Sequence, residues 1–192
     1  MKIEVNNREL FEAVSTVSKA VSTKTAIPVL EGILIKTNHD KITLIGFDFE
    51  LGIQTEIEAK VIEEGDIVVN SRLFAEIIRS IPGETVNIEI DNNKMVKITS
   101  LNSEFSIIGL DAAEYPEIPV LSEDEKLEIS QPLLKKMIRQ TSFAVSISDD
   151  KPIFKGILFD MAEDSIKLVA VDGYRLAIKK EKIKNNKIFK FI

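Results

Sequence analysis

The sequence repeats itself at a fixed spacing of 124 residues, and nothing else in it constrains the fold as strongly. Leu44-Ile45-Gly46-Phe47-Asp48 returns as Leu168-Val169-Ala170-Val171-Asp172, an apolar run that ends in the same aspartate. The match continues back toward the N-terminus without a gap. Lys2-Ile3-Glu4-Val5 aligns with Lys126-Leu127-Glu128-Ile129, and Ala20-Val21-Ser22 with Ala144-Val145-Ser146. Pro28 aligns with Pro152, and Gly32-Ile33-Leu34 with Gly156-Ile157-Leu158. An offset kept across a helical stretch and several strands means one supersecondary design used twice. It also sets the expected domain organisation. A complete first domain covers residues 1–120, and a second copy over 121–192 carries the N-terminal part of the same design.

Apolar periodicity fills in the elements. Alternation predicts a strand over 2–5, and helical spacing predicts a helix over 9–21 capped by Asn6 or Asn7. Strands are expected over 30–36, 41–47 and 52–59. The pattern then restarts with a strand over 66–69 and a helix over 72–80 whose inward residues are Leu73, Ile77 and Ile78. Pro82-Gly83 closes that helix, and strands follow over 85–91, 94–100 and 103–110. The last of these reads as an exposed sheet edge. Residues 111–125 hold two X-Pro steps and an acidic run, and read as a linker. The second copy gives a strand over 127–130, a helix over 132–145 and strands over 153–160 and 165–171, then the Asp172-Gly173 turn. A basic tail over 179–192 ends in a strand-like apolar run. The expected fold class is α+β: repeated β-α-β-β-β units with helices on one face of antiparallel sheets.

Composition narrows the chemistry. There is no cysteine and one histidine, His39, in a polar turn, so Cys/His catalysis and Cys/His zinc spacings are excluded. No phosphate-cradling glycine loop and no Gly-x-Ser-x-Gly elbow occurs. Asp48 and Asp172 fall at equivalent strand ends, which favours a structural turn over a metal site. The chain is therefore read as non-catalytic, with no cofactor and no metal. Neither a signal-like N-terminus nor an apolar run near 18 residues is visible, so a cytoplasmic protein with no membrane partner is expected. The net charge of −6 argues against a tight, salt-dependent grip on nucleic acid. The cations nonetheless gather on helix outer faces: Lys19 leading to Lys24, then Arg72 and Arg79, then Lys135, Lys136 and Arg139.

Several stretches together resemble the bacterial DNA polymerase III β subunit family, the β sliding clamps. They are Met1-Lys2-Ile3-Glu4-Val5, Ile27-Pro28-Val29-Leu30, Arg72-Leu73-Phe74, Ala112-Ala113-Glu114-Tyr115-Pro116, Phe143-Ala144, Gly156-Ile157-Leu158-Phe159 and Val171-Asp172-Gly173-Tyr174-Arg175-Leu176. The resemblance implies a DNA-clamp fold with three domains per full chain. Two such chains close a homodimeric ring around double-stranded DNA and act as a processivity factor. It further implies that Lys24, Arg72, Arg79 and Lys151 approach DNA. Val171, Gly173, Tyr174, Arg175 and Leu176 would form one wall of a pocket for peptide motifs of the replicative polymerase, the clamp loader and repair proteins. Phe74, Phe105 and Ile107 would face the partner subunit. A second reading is a shortened clamp relative or fragment that cannot close a ring and at most modulates a full-length clamp.

Overall fold

In a computed structural model of the chain, residues 1–22, 25–118, 128–184 and 188–192 are described. The chain divides into two compact units, Met1–Pro119 and Val120–Ile192.

Unit 1 runs β1 (Lys2–Asn6), α1 (Asn7–Val17), β2 (Gly32–Asn38), β3 (Lys41–Phe47) and β4 (Gly52–Glu63). It then repeats the order with β5 (Asp66–Asn70), α2 (Ser71–Ser80), β6 (Thr85–Ile90), β7 (Met95–Ser100) and β8 (Ser103–Leu110). The eight strands close into a ring in the order β1-β4-β3-β2-β5-β8-β7-β6, all antiparallel. Each half therefore contributes four consecutive strands of the ring. The joints between the halves, β1 with β6 and β2 with β5, each hold five residue pairs. The thinnest pairing lies inside the second half, where β5 meets β8 only at Val68↔Leu110 and Val69↔Gly109.

Both helices start on asparagine caps. The Asn6 side-chain oxygen accepts from the amides of Arg8 and Glu9, and that of Asn70 from Leu73, which satisfies first-turn donors. Leu10, Ala13, Val14 and Val17 of α1 and Phe74 and Ile78 of α2 close the main core against inward residues of the strands. Gly46 lets the end of α1 approach β3, since a Cβ there would strike the Val17 carbonyl.

The opposite face of β2, β3 and β5 carries a second cluster. Val29, Leu30, Leu34, Ile45, Phe47 and Val68 lie there beneath Tyr115, with Ile118 packed alongside. The alternation of a strand explains both clusters: Ile33, Ile35 and Val69 point one way, Leu34 and Val68 the other.

Unit 2 holds α3 (Gln131–Arg139), β9 (Leu158–Ala162), β10 (Ser165–Val171), β11 (Leu176–Lys182) and β12 (Phe189–Phe191). Its sheet order is β11-β10-β9-β12. Its registers reproduce those of unit 1 residue for residue. Leu34↔Ile45 returns as Leu158↔Val169, Ile45↔Gln54 as Val169↔Ile178, and Ile35↔Ile67 as Phe159↔Phe191. Met137 of α3 packs with Met161, Ile166 and Leu168 to form its core.

Several expectations shift. On α2, Ile78 is buried and Ile77 packs against the core as expected, but Leu73 is 51% exposed and its neighbour Phe74 is fully buried in its place. The strands expected at 30 and 153 begin at Gly32 and Leu158, because Pro28 and Pro152 each open a 3-10 turn. β4 runs on to Glu63 because its second half pairs with β1. The helix expected to reach residue 145 ends at Arg139. The Thr141 hydroxyl then donates back to the Met137 carbonyl and a 3-10 turn follows. Residues 128–130 form no strand, and residue 127 lies outside the described residues.

Candidate functional site

The turn between β10 and β11 gathers Val171, Gly173, Tyr174, Arg175 and Leu176 around one carboxylate. Asp172 Oδ1 accepts from the Tyr174 amide at 2.9 Å and the Arg175 amide at 2.7 Å. Its Oδ2 takes the Arg175 guanidinium, with Nε at 2.9 Å and Nη2 at 2.8 Å. The amides of Arg175 and Tyr174, with the guanidinium, pull this carboxyl down to about 2. Gly173 sits at φ +95°, with open space around it. Tyr174 is 98% exposed, Leu176 is exposed and Val171 is half-buried. The result is a loop tied to its own aspartate that presents an aromatic ring and a leucine to solvent.

The same turn stands in unit 1. Asp48 Oδ1 accepts from Glu50 at 3.0 Å and Leu51 at 2.7 Å, and its own amide donates to the Leu51 carbonyl. Recurrence at equivalent positions makes both aspartates turn-forming groups. His39 is likewise a hairpin-tip residue, with its Nδ1 3.7 Å from Glu64 Oε1.

Of the four cations expected near nucleic acid, two share a surface. Arg72 and Arg79 lie on the exposed face of α2 with Glu76 between them, at i, i+4 and i+7. Arg72 Nε is bonded to Glu76 Oε1 at 3.1 Å, whereas Arg79 has no ion-pair partner among the described residues. Lys151 belongs to unit 2, exposed, with its ammonium 5.5 Å from the Phe154 ring centroid. Beside it, Lys155 pairs with Asp149 and holds that carboxyl below the usual range. Lys24 lies outside the described residues. Lys135, Lys136 and Arg139 are exposed on α3, and Lys136 reaches Glu181 at 3.7 Å.

The expected partner-facing residues divide. Phe105 and Ile107 lie half-buried on β8, whose outer edge is unpaired from Ser103 to Ile108 among the described residues. Phe74 is enclosed in the main core and offers no surface, because its side of α2 faces the sheet. The exposed apolar residues there are Leu73 and Ile108. Ile108 carried a signal in the sequence: two successive isoleucines in an alternating strand put one on each face.

A closed antiparallel ring carrying two capped helices, followed by a partial copy of itself in the same register, is the DNA-clamp fold. The chain belongs to the DNA polymerase III beta subunit family: residues 1–119 match its N-terminal domain and residues 128–190 its central domain. It is 38% identical to the beta sliding clamp of Halalkalibacterium halodurans and 39% identical to that of Bacillus subtilis. Each alignment covers 95% of this chain and 50% of the relative. Among solved structures, the sliding clamp of Bacillus subtilis superposes with a TM-score of 0.94 at 36% identity, covering 99% of this chain and 53% of that one. The putative DNA polymerase III beta subunit of Eubacterium rectale gives 0.94 at 35% identity, covering 99% and 52%. The chain thus spans about half the length of the relatives it matches.

Proposed function

We propose that these residues are the first domain (1–120) and the N-terminal part of the second (121–192) of a DNA sliding clamp. It is a non-catalytic, cytoplasmic processivity factor that encircles duplex DNA as a homodimeric ring and tethers the polymerase. The observation that carries this reading is the register kept at 124 residues in three separate strand pairings, in a chain of the beta subunit family. A ring built of repeated units needs equivalent units that join edge to edge, and the open edge of β8 with Phe105 and Ile107 supplies one such edge. Lys24, Arg72, Arg79 and Lys151 are the DNA-facing cations. Few and partly neutralised, they suit a protein held on DNA by topology, which must slide rather than grip. Val171, Gly173, Tyr174, Arg175 and Leu176 form one wall of a pocket for peptide motifs of the polymerase, clamp loader and repair proteins.

The test is topological. A full-length protein carrying these residues, loaded on nicked circular DNA by a clamp loader, is expected to co-elute with the circle and to be lost once the DNA is cut to a linear form. Equal retention on circular and linear DNA would overturn the ring reading.

A further inference from the structure

The 124-residue offset maps the outer cluster of unit 1 onto the surface of unit 2. Val29, Leu30, Leu34, Ile45, Phe47 and Val68 correspond to Ile153, Phe154, Leu158, Val169, Val171 and Ile192. Every position is apolar in both copies, yet the burial differs. In unit 1 all six are buried, beneath Tyr115 with Ile118 alongside. In unit 2 Ile153 is 60% and Ile192 56% exposed, and the other four are half-buried.

The cover in unit 1 is a short peptide in all but connectivity. Asp111 caps a single 3-10 turn, Ala112–Glu114, and is tied to Lys94 at 2.7 Å. The chain then extends, laying Tyr115 and Ile118 onto the cluster. The Tyr115 hydroxyl lies 3.4 Å from the Ile45 carbonyl oxygen and 3.5 Å from that of Gly32. Ile118 sits where a side chain on Gly52 would touch it at 3.5 Å. The counterpart of Gly52 is Leu176, exposed on the peptide-pocket wall of unit 2. One copy thus has a glycine beside the segment, and the other has a leucine facing solvent.

We propose that the outer face of unit 1 is a second peptide-binding site, of the same design as the pocket wall on unit 2 and plugged by the chain's own Tyr115–Ile118 segment. Its ligand class is a short peptide with an aromatic and a branched aliphatic side chain three residues apart. The plug makes the site latent: apparent affinity for a peptide in trans scales with the fraction of molecules whose segment has lifted. The inference rests on the peptide-binding reading of unit 2.

The probe is a synthetic peptide with the sequence of residues 111–118, bearing an N-terminal benzophenone. Photocrosslinks are mapped by mass spectrometry. With the parent protein, crosslinks are expected near Tyr174 and Leu176 and not in unit 1. Tyr115→Ala should raise crosslinking at Ile27, Phe49 and Leu51 by about tenfold or more, and the milder Ile118→Ala by about threefold, as the open fraction grows. Ile118→Ala decides the matter if Tyr115→Ala fails to fold. A natively folded Ile118→Ala protein with no gain in unit 1 overturns the proposal. Gain in unit 1 without crosslinks in unit 2 overturns the unit 2 reading alone.

Discussion

Phe49 and Gly173 hold the same position in two copies of one turn, and the backbone is left-handed at both, with φ 72° and 95°. A side chain in that region costs about 1–2 kcal/mol. At Phe49 the cost is offset by an edge-on contact with the Phe47 ring, centroids 5.3 Å apart, of a kind that contributes about 0.5–1.5 kcal/mol. Gly173→Ala gains no such contact and is expected to destabilise unit 2 by about 1 kcal/mol, read from the urea midpoint. Phe49→Gly should be nearly neutral. A Gly173→Ala protein as stable as its parent would mean that the turn is not held by its aspartate.

Tyr115 carries an alkaline signature. Burial, the larger effect, pushes its hydroxyl up to about 12, against an ordinary value of 10.0. The fold holds the neutral phenol, so the stability it contributes is whole below pH 10 and is lost as pH rises toward 12. The full loss is on the order of 2 kcal/mol. Tyr115→Phe lacks the ionisable group. The gap in urea midpoint between parent and variant should therefore change between pH 9 and pH 11.5. A constant gap would show that the hydroxyl is not enclosed.

Phe74 and Leu73 are neighbours with opposite duties. Phe74→Ala empties a fully buried site and is expected to cost about 3–5 kcal/mol. Leu73→Ala, at a half-exposed position, should cost less than about 1 kcal/mol. Thermal unfolding of the two variants checks the order, and reversed values would place the other face of α2 against the core.

Arg72 and Arg79 should differ toward duplex DNA. Removing a free phosphate contact lowers the slope of log affinity against log salt by about 1. Arg79→Ala is expected to approach that value. Arg72→Ala should fall short of it, because Glu76 already neutralises the guanidinium at 3.1 Å. Titrations in the full-length protein at several salt concentrations decide, and a larger effect from Arg72 would reverse the assignment.

The repeat made most of the fold legible, because a register kept at 124 residues leaves an imprint of matched apolar positions in sequence. Elsewhere the pattern was ambiguous. Leu73-Phe74 and Ile77-Ile78 are both apolar pairs, so periodicity allows two inward faces about 100° apart. Packing against the sheet chooses the one with Phe74 and Ile78. Pro28 and Pro152 were visible, but the 3-10 turns they open displace the strand starts. The turn at Asp172 was readable from Asp-Gly alone. The role of residues 111–118 was not. Its prolines and charges read as a linker, and only folding back onto β2 and β3 reveals Tyr115 as a buried cover.

The uneven strand pairings of the unit 1 ring also bear on how it comes apart. Five residue pairs hold β1 to β6, and two hold β5 to β8. Local opening follows the segment with the fewest protecting contacts. Amide protons along the outer side of β8 should therefore exchange with deuterium well before those of β1. Under mechanical load, the ring would part at Gly109 and Leu110 while the five-pair joint still held.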